Sequence, residues 1–318
     1  LSVRIVSPEE IAAVLPRVNV VVEIAAGFVA YSAGRVTVPP VGELLFPRDN
    51  GELHIKYGTI DGDDIAVIKV ATGFYDNPAK GLPPFGGLNL VMSARTGLPV
   101  AVLLDGGMLT NERTAAAGAV AARHLALPDV KVIGILGSGT QARLQAQYLR
   151  GVTAARNIHL WARDAARAAA CADDLRAMGF DVTIKASPAE VADQARLIVT
   201  TTASHKPLLT AADIRPGTHI TAMGSDTPEK CELAPDILAA ASAVVADSIP
   251  QCLVRGEIFH AIASGTIAEA KVVELGQVIA GTATGRQSVT DITIADLTGV
   301  AVQDIMIVKA VLARLEAS

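Results

Sequence analysis

Hydrophobic and polar positions alternate with different periods in different parts of this chain, and the period changes twice. Near the N-terminus Ser7-Pro-Glu-Glu10 carries the marks of a helix start, with Ser7 as N-cap, Pro8 at the first helical position and Glu10 closing a capping box. A helix over 8–15 is expected. From about 36 to 104 the apolar residues come in short strand-like runs, Val36–Val38, Leu53–Tyr57, Ile65–Ala71 and Val100–Leu104, separated by Gly, Pro, Asp and Asn clusters. This predicts an antiparallel α+β module. Glu112–Ala126 then reads as an Ala-rich helix that stops before Pro128.

Beyond that helix, strand-like runs at 131–136, 157–162, 181–184, 196–201, 218–223 and 242–247 alternate with helical stretches, which specifies a doubly wound parallel sheet. Ser187-Pro-Ala-Glu190 and Thr210-Ala-Ala-Asp213 mark helix starts between them. After Asp247 the pattern is irregular until Gly299–Leu315, an amphipathic helix expected to pack back on the N-terminal module. The predicted fold is therefore α/β, with a Rossmann-type domain over 127–298. A discontinuous α+β domain covers 1–126 and is completed by 299–318.

The first strand of the second domain runs into glycines, Lys131-Val-Ile-Gly-Ile-Leu-Gly-Ser-Gly-Thr-Gln-Ala142. Gly137 permits the tight turn off the strand, Gly139 removes a side chain that would block a pyrophosphate, and Ala142 lets helix and strand pack closely. Ser138, Thr140 and Gln141 would offer backbone N–H groups to the phosphates at the helix N-terminus. A second strand-like run, Asn157–Trp161, begins about 20 residues after Gly137, where a dinucleotide fingerprint requires it. That strand ends Leu160-Trp-Ala-Arg-Asp164, with Ala162 where an acidic residue would hold a ribose 2′-hydroxyl. Arg163 follows, and a guanidinium suits a 2′-phosphate, so NADP(H) is favoured; Arg163 as a solvated strand end, with Asp164 capping the next helix, keeps NAD(H) open.

Composition removes several alternatives. Among 318 residues 51% are hydrophobic, enough for two cores, and a net charge of −5 without charge runs argues against nucleic acid or a polybasic membrane patch. Three cysteines without CxxC spacing indicate neither a disulfide framework nor a zinc site, which fits a reducing cytoplasm. No run approaches the roughly 18 apolar residues of a membrane span. Glu257-Ile-Phe-His260 is a single ExxH pair, read as a helix surface, and Asp61-Gly-Asp-Asp64 is read as a polar turn; no metal is expected.

Four further segments place polar residues where hydrophobic patterning would not: Val67-Ile-Lys-Val-Ala-Thr-Gly-Phe74, Leu104-Asp-Gly-Gly-Met-Leu-Thr-Asn-Glu-Arg-Thr-Ala-Ala-Ala117, Met223-Gly-Ser-Asp-Thr-Pro-Glu-Lys-Cys-Glu-Leu233 and Asp296-Leu-Thr-Gly-Val-Ala-Val-Gln-Asp304. With the central glycine loop, they resemble the ornithine cyclodeaminase and mu-crystallin family through nearly the whole chain. The resemblance implies hydride transfer between a nicotinamide and the α-carbon of an amino or imino acid. It implies Arg113 as carboxylate-binding residue, Lys69 as a second cationic contact, Asp226 as the acid–base carboxylate, and Thr298 near the nicotinamide end. It also implies a homodimer through the N-terminal strands. Read singly, each has a plainer alternative: Lys69 reaching solvent, Arg113 paired with Glu112 or Asp105, Asp226 in a turn before Pro228.

The chain departs from the family pattern in one place. Many members carry Pro-x-Arg where this chain has Val38-Pro-Pro-Val-Gly-Glu43, and the acidic residue that holds an ornithine ammonium is replaced by the basic stretch Gly51-Glu-Leu-His-Ile-Lys-Tyr-Gly58. Lys56 would repel an ammonium and could replace the absent Arg as a carboxylate partner. The expectation is an NAD(P)H-dependent reductase of a small α-imino acid of the Δ1-pyrroline-2-carboxylate type. Ornithine cyclodeaminase and an NADP-dependent binding protein of mu-crystallin type are the alternatives.

Overall fold

The computed structural model describes residues 3–317. The chain forms two compact units, Leu1–Arg113 with Val300–Ser318, and Thr114–Gly299. The first boundary falls inside a helix, earlier than the junction expected after 126.

Unit 1 opens with strand β1 (Arg4–Val6) and helix α1 (Pro8–Val14). The capping box is formed, with Glu10 N donating to Ser7 Oγ at 3.3 Å and Ser7 N to Glu10 Oε2 at 2.8 Å. A helix that the pattern does not predict follows, α2 (Val20–Ser32), N-capped by Asn19. Its start, Val20-Val-Val-Glu-Ile24, is rich in β-branched residues with low helix propensity, and burial of Val20, Ile24 and Phe28 overrides that preference.

Six strands then build a sheet: β2 (Val36–Thr37), β3 (Gly42–Phe46), β4 (Gly51–Ile60), β5 (Ile65–Phe74), β6 (Phe85–Ser93) and β7 (Pro99–Leu103). The order is β1-β7-β6-β5-β4-β2, with β3 on β4 as well, and only β1 pairs in parallel. Asp61 and Gly62 form the turn between β4 and β5. The sequence pattern does not mark β1, β3 or β6. Helix α3 (Met108–Leu125) starts four residues before the expected Glu112, because Asp105 caps it: Leu109 N donates to Asp105 Oδ2 at 3.0 Å.

Unit 2 is a parallel α/β sheet. Its elements run β8 (Val132–Leu136), α4 (Thr140–Leu149), β9 (Asn157–Trp161), α5 (Ala165–Ala177), β10 (Asp181–Ile184), α6 (Pro188–Gln194), β11 (Leu197–Thr200), β12 (His205–Leu209), β13 (His219–Ala222), β14 (Cys231–Leu233), α7 (Pro235–Ala240), β15 (Ala243–Ala246), α8 (Ile249–Cys252), α9 (Gly256–Ala263), β16 (Val272–Glu274), α10 (Leu275–Ile279) and β17 (Thr293–Asp296). The main sheet has the order β10-β9-β8-β11-β13-β17-β15-β16, and β12 pairs β14 apart from it.

Two expectations are corrected here. The stretch after Asp247 is not irregular, since β16 and β17 lie in it, and β17 separates β13 from β15. β16 has three residues, and β17, Thr293-Ile-Ala-Asp296, begins and ends on polar residues although all four are buried, so neither stands out as an apolar run. Thr210–Asp213 forms a capped 3-10 turn instead of opening an α-helix. The last helix, α11 (Ala301–Glu316), belongs to unit 1 and packs on α2, β4 and β5. No single helix among the described residues is long and apolar enough to cross a membrane.

Candidate active site

Lys56, Lys69 and Asn89 are directly opposite one another on β4, β5 and β6, so their side chains rise in one row from the same face of the unit 1 sheet. Helix α11 contributes Asp304 to that row. Lys69 Nζ donates to Asp304 Oδ1 at 3.1 Å, and Arg113, from the first half of α3, donates through Nε to the same oxygen at 3.0 Å. A second bond, from Arg113 Nη1 to Gln303 Oε1 at 2.7 Å, fixes the guanidinium plane. Lys69, Arg113 and Asp304 are each at most 5% exposed. Asp105, also buried, accepts from Asn89 Nδ2 at 3.1 Å as well as from the α3 backbone.

This arrangement settles the plainer alternatives in unit 1. Lys69 does not extend to solvent, and Arg113 pairs with Asp304, not with Glu112 or Asp105. Burial, and the Arg113 charge after it, lower the Lys69 ammonium to about 8 against the pull of Asp304. Burial alone would raise the Asp304 carboxyl, but Arg113, Lys69 and Lys56 together outweigh it and hold it below its ordinary value. Asp105 is raised, chiefly by burial. Buried Lys69 and Arg113, with half-buried Lys56 beside them, outnumber the carboxylates Asp304 and Asp105, a setting that draws an anion.

In unit 2 the glycine loop joins β8 to α4. Gly137 has φ +123, and a Cβ on it would strike the Thr201 hydroxyl and carbonyl, so the turn admits only glycine. Gly139 is the N-cap of α4 and receives no side-chain cap, and a Cβ there would project into open space. Thr140 and Gln141 begin the helix and Ala142 is fully buried behind it. Arg143 donates to the Ser138 carbonyl at 2.7 Å and the Gly139 carbonyl at 3.2 Å, which ties back the loop's acceptors.

A cleft beside this loop is lined by Gly137, Ser138, Gly139, Ala162, Arg163 and Arg167. Asp164 also borders it, but its carboxylate caps α5 by accepting from Arg167 N at 3.0 Å. The uncapped helix start, the open space at Gly139 and the two arginines fit the phosphate groups of a dinucleotide.

Asp226 lies in unit 2, exposed on the loop after β13, with Lys230 Nζ donating to its Oδ1 at 2.6 Å. The loop is held from below. Glu232 accepts from Thr200 Oγ1 at 2.6 Å, Thr202 N at 2.6 Å and Gly224 N at 2.8 Å. Glu257 accepts from the Ser225 hydroxyl and from the backbone of Glu232 and Leu233 at 2.8 and 3.0 Å. Glu257 is 1% exposed, so the reading of its ExxH segment as a helix surface is corrected. Burial, then the neighbouring Glu257, push Glu232 up to about 7. Thr298 is buried among Asp247 and Gln251, donating to Asp247 Oδ1 at 3.1 Å and accepting from Gln251 Nε2 at 2.7 Å.

A family model described as the ornithine cyclodeaminase/mu-crystallin family matches residues 5–318. The chain belongs to that family. An uncharacterized cyclodeaminase of Sinorhizobium fredii is 45% identical over 283 residues, 88% of this chain and 86% of the relative. A Δ1-pyrroline-2-carboxylate reductase of Bacillus cereus is 31% identical over 282 residues, again 88% and 86%. Among solved structures, an archaeal alanine dehydrogenase dimer with bound NAD superposes with a TM-score of 0.90 at 32% identity, covering 99% of this chain and 96% of that one.

Sequence reasoning missed Asp304, Gln303, Glu232 and Glu257 as site residues for this member of the family. A signal for the first two was present. Gln303 and Asp304 are adjacent polar residues in the first turn of an otherwise apolar helix start, Val300-Ala-Val-Gln-Asp-Ile-Met-Ile307, and such a pair needs buried partners.

Proposed function

We propose that this protein is an NAD(P)H-dependent reductase of a small α-imino acid of the Δ1-pyrroline-2-carboxylate type, yielding the L-amino acid. The observation that carries the reading is the excess of positive charge at Lys56, Lys69 and Arg113 around a single low-pKa carboxylate. A substrate carboxylate neutralises that excess, and the Arg113 fork and Lys69 ammonium orient it. The same charges oppose an ornithine ammonium, which sets the cyclodeaminase reading behind the reductase.

The nicotinamide, when bound in unit 2, supplies the hydride that the imine carbon accepts. Asp226 exchanges the proton at the substrate nitrogen, with Lys230 as its charge partner. Gly137, Ser138, Gly139 and the start of α4 at Thr140 to Ala142 hold the phosphates, and Thr298 is assigned to the nicotinamide end. Arg163, with Arg167 beside it, holds a 2′-phosphate, because Ala162 offers no side-chain acceptor for a ribose hydroxyl and Asp164 is engaged in its cap. A homodimer through the unit 1 sheet is supported by the exposed apolar Leu44, Leu45 and Phe85.

The test is a stoichiometry. With Δ1-pyrroline-2-carboxylate or a linear α-imino acid, one NADPH is consumed per L-amino acid formed, more efficiently than NADH, and Asp226→Asn abolishes turnover. Release of ammonia from L-ornithine with only catalytic NAD⁺ would overturn the reading.

A further inference from the structure

Asp304 accepts hydrogen bonds from the buried cations Lys69 and Arg113, and it comes from a helix nearly 200 residues further along the chain than Arg113. We propose that Asp304 is a positioning residue, which aims Arg113 at the substrate carboxylate and keeps Lys69 protonated while that carboxylate binds. This rests on the carboxylate-binding role proposed above for Lys69 and Arg113.

The geometry supports a division of labour around one side chain. Oδ1 of Asp304 receives both Lys69 Nζ and Arg113 Nε, while Gln303, the preceding residue of α11, receives Arg113 Nη1. The two polar residues of α11 thus hold the guanidinium at two of its nitrogens, Nε and Nη1, and the orientation of the remaining N–H groups follows. Removing the charge of Asp304 while keeping its shape leaves two buried cations facing each other. Arg113 does not lose its proton, so Lys69 does.

The charged groups that act on Lys69 are Arg113 from α3, Asp304 from α11 and Asp105 from the loop before α3, and Lys56 on β4 is its direct cross-strand neighbour. Asn89, its neighbour on β6, does not titrate. Of the two carboxylates, Asp304 is the one that bonds to the ammonium directly. The ammonium already sits near 8, mainly through burial, so a modest further loss carries it through neutral pH.

The experiment is calorimetric binding of pyrrole-2-carboxylate, a planar carboxylate that cannot accept hydride, to the NADPH-loaded protein between pH 6 and 9.5. The unsubstituted protein is expected to bind with constant affinity up to about pH 7.5 and to weaken above about pH 8, roughly tenfold per unit. Asp304→Asn should bind at least about tenfold more weakly at pH 7, with its fall beginning at least about one unit lower. Lys69→Met, which leaves Asp304 paired with Arg113, should bind more weakly and show no fall near pH 8. Asp304→Asn with unchanged affinity and an unchanged pH profile overturns the proposal, as does a fall near pH 8 that persists in Lys69→Met. Absence of binding to the unsubstituted protein at every pH would instead remove the carboxylate reading on which it rests.

Discussion

In unit 1 the Asp304 carboxylate lies between two cations, whereas in unit 2 Glu232 and Glu257 lie among backbone N–H and hydroxyl donors, and the charge of Glu257 acts on Glu232 to raise it. The consequences run in opposite directions. Asp304 is held below its ordinary range and a net positive charge is left over. Glu232 is pushed up to about 7 with no cation beside it, and its oxygens accept from Thr200, Thr202 and Gly224 of its own unit. A buried charge that leaves an imbalance serves a ligand. A buried charge whose bonds are all internal fixes loops, here the segment at Thr202 that borders the dinucleotide cleft and the segment from Gly224 that carries Asp226.

The largest effect should follow from breaking the unit 1 cluster. Arg113→Met removes a buried guanidinium and leaves Gln303 and part of Asp304 without a donor, a loss of about 3 kcal/mol in stability. The KM for the imino acid should rise on the order of 100-fold, because the substrate carboxylate loses its bidentate partner. Urea unfolding and steady-state kinetics measure the two. A variant with the unaltered KM would mean that the positive excess does not face a substrate.

Breaking the unit 2 brace should cost less and show in a different quantity. Thr202 N donates to one oxygen of Glu232 and Gly224 N to the other, so Glu232→Gln turns an NH₂ group toward a backbone donor in either orientation of the amide. The penalty is about 1–3 kcal/mol. Its pH signature is distinctive. The Glu232 carboxyl is pushed up to about 7 in the folded protein and returns to its ordinary value of 4.5 when unfolded, so the folded state binds the extra proton between those values. The contribution of Glu232 to stability is therefore present at low pH and lost as pH rises from 4.5 toward 7. Urea midpoints between pH 4.5 and 7.5 should fall with pH in the unsubstituted protein by more than in Glu232→Gln. Equal slopes would break the comparison drawn above.

How much of this was visible beforehand depends on the length scale of each signal. The glycine loop, the α4 start and the strands β8, β9 and β11 are encoded by contiguous residues, so period and spacing located them. The Ser7 capping box was likewise legible over four residues. The strands β16 and β17 were not, since β16 has three residues and β17 carries Thr293 and Asp296 at its ends, and α2 was hidden by β-branched residues that only burial makes helical. Lys69 and Arg113 were singled out from the resemblance. Their shared partner was not, because Asp304 meets them only after α11 rejoins unit 1, and a contact across almost 200 residues leaves no local pattern. Glu257 was misread for the same reason: its donors come from β14 and the Asp226 loop, not from its own helix.

The smallest expected effect tests whether the positive excess extends to the edge of the cluster. Lys56 is opposite Lys69 on the neighbouring strand but only half-buried, and its charge acts on Asp304 through space. Water screens it, so its attraction for a substrate carboxylate is about 1 kcal/mol and Lys56→Met should raise KM roughly fivefold at low salt. Added salt should shrink that difference, since a partly exposed charge is screened within about 10 Å at 0.1 M ionic strength, whereas the Arg113→Met defect should persist. If Lys56→Met matched Arg113→Met in size and salt resistance, Lys56 would be a direct carboxylate ligand equivalent to the missing Arg of the Pro-x-Arg segment. If instead it lowered KM for L-ornithine turnover, the repulsion of an ammonium by this strand would be the property that separates this chain from a cyclodeaminase.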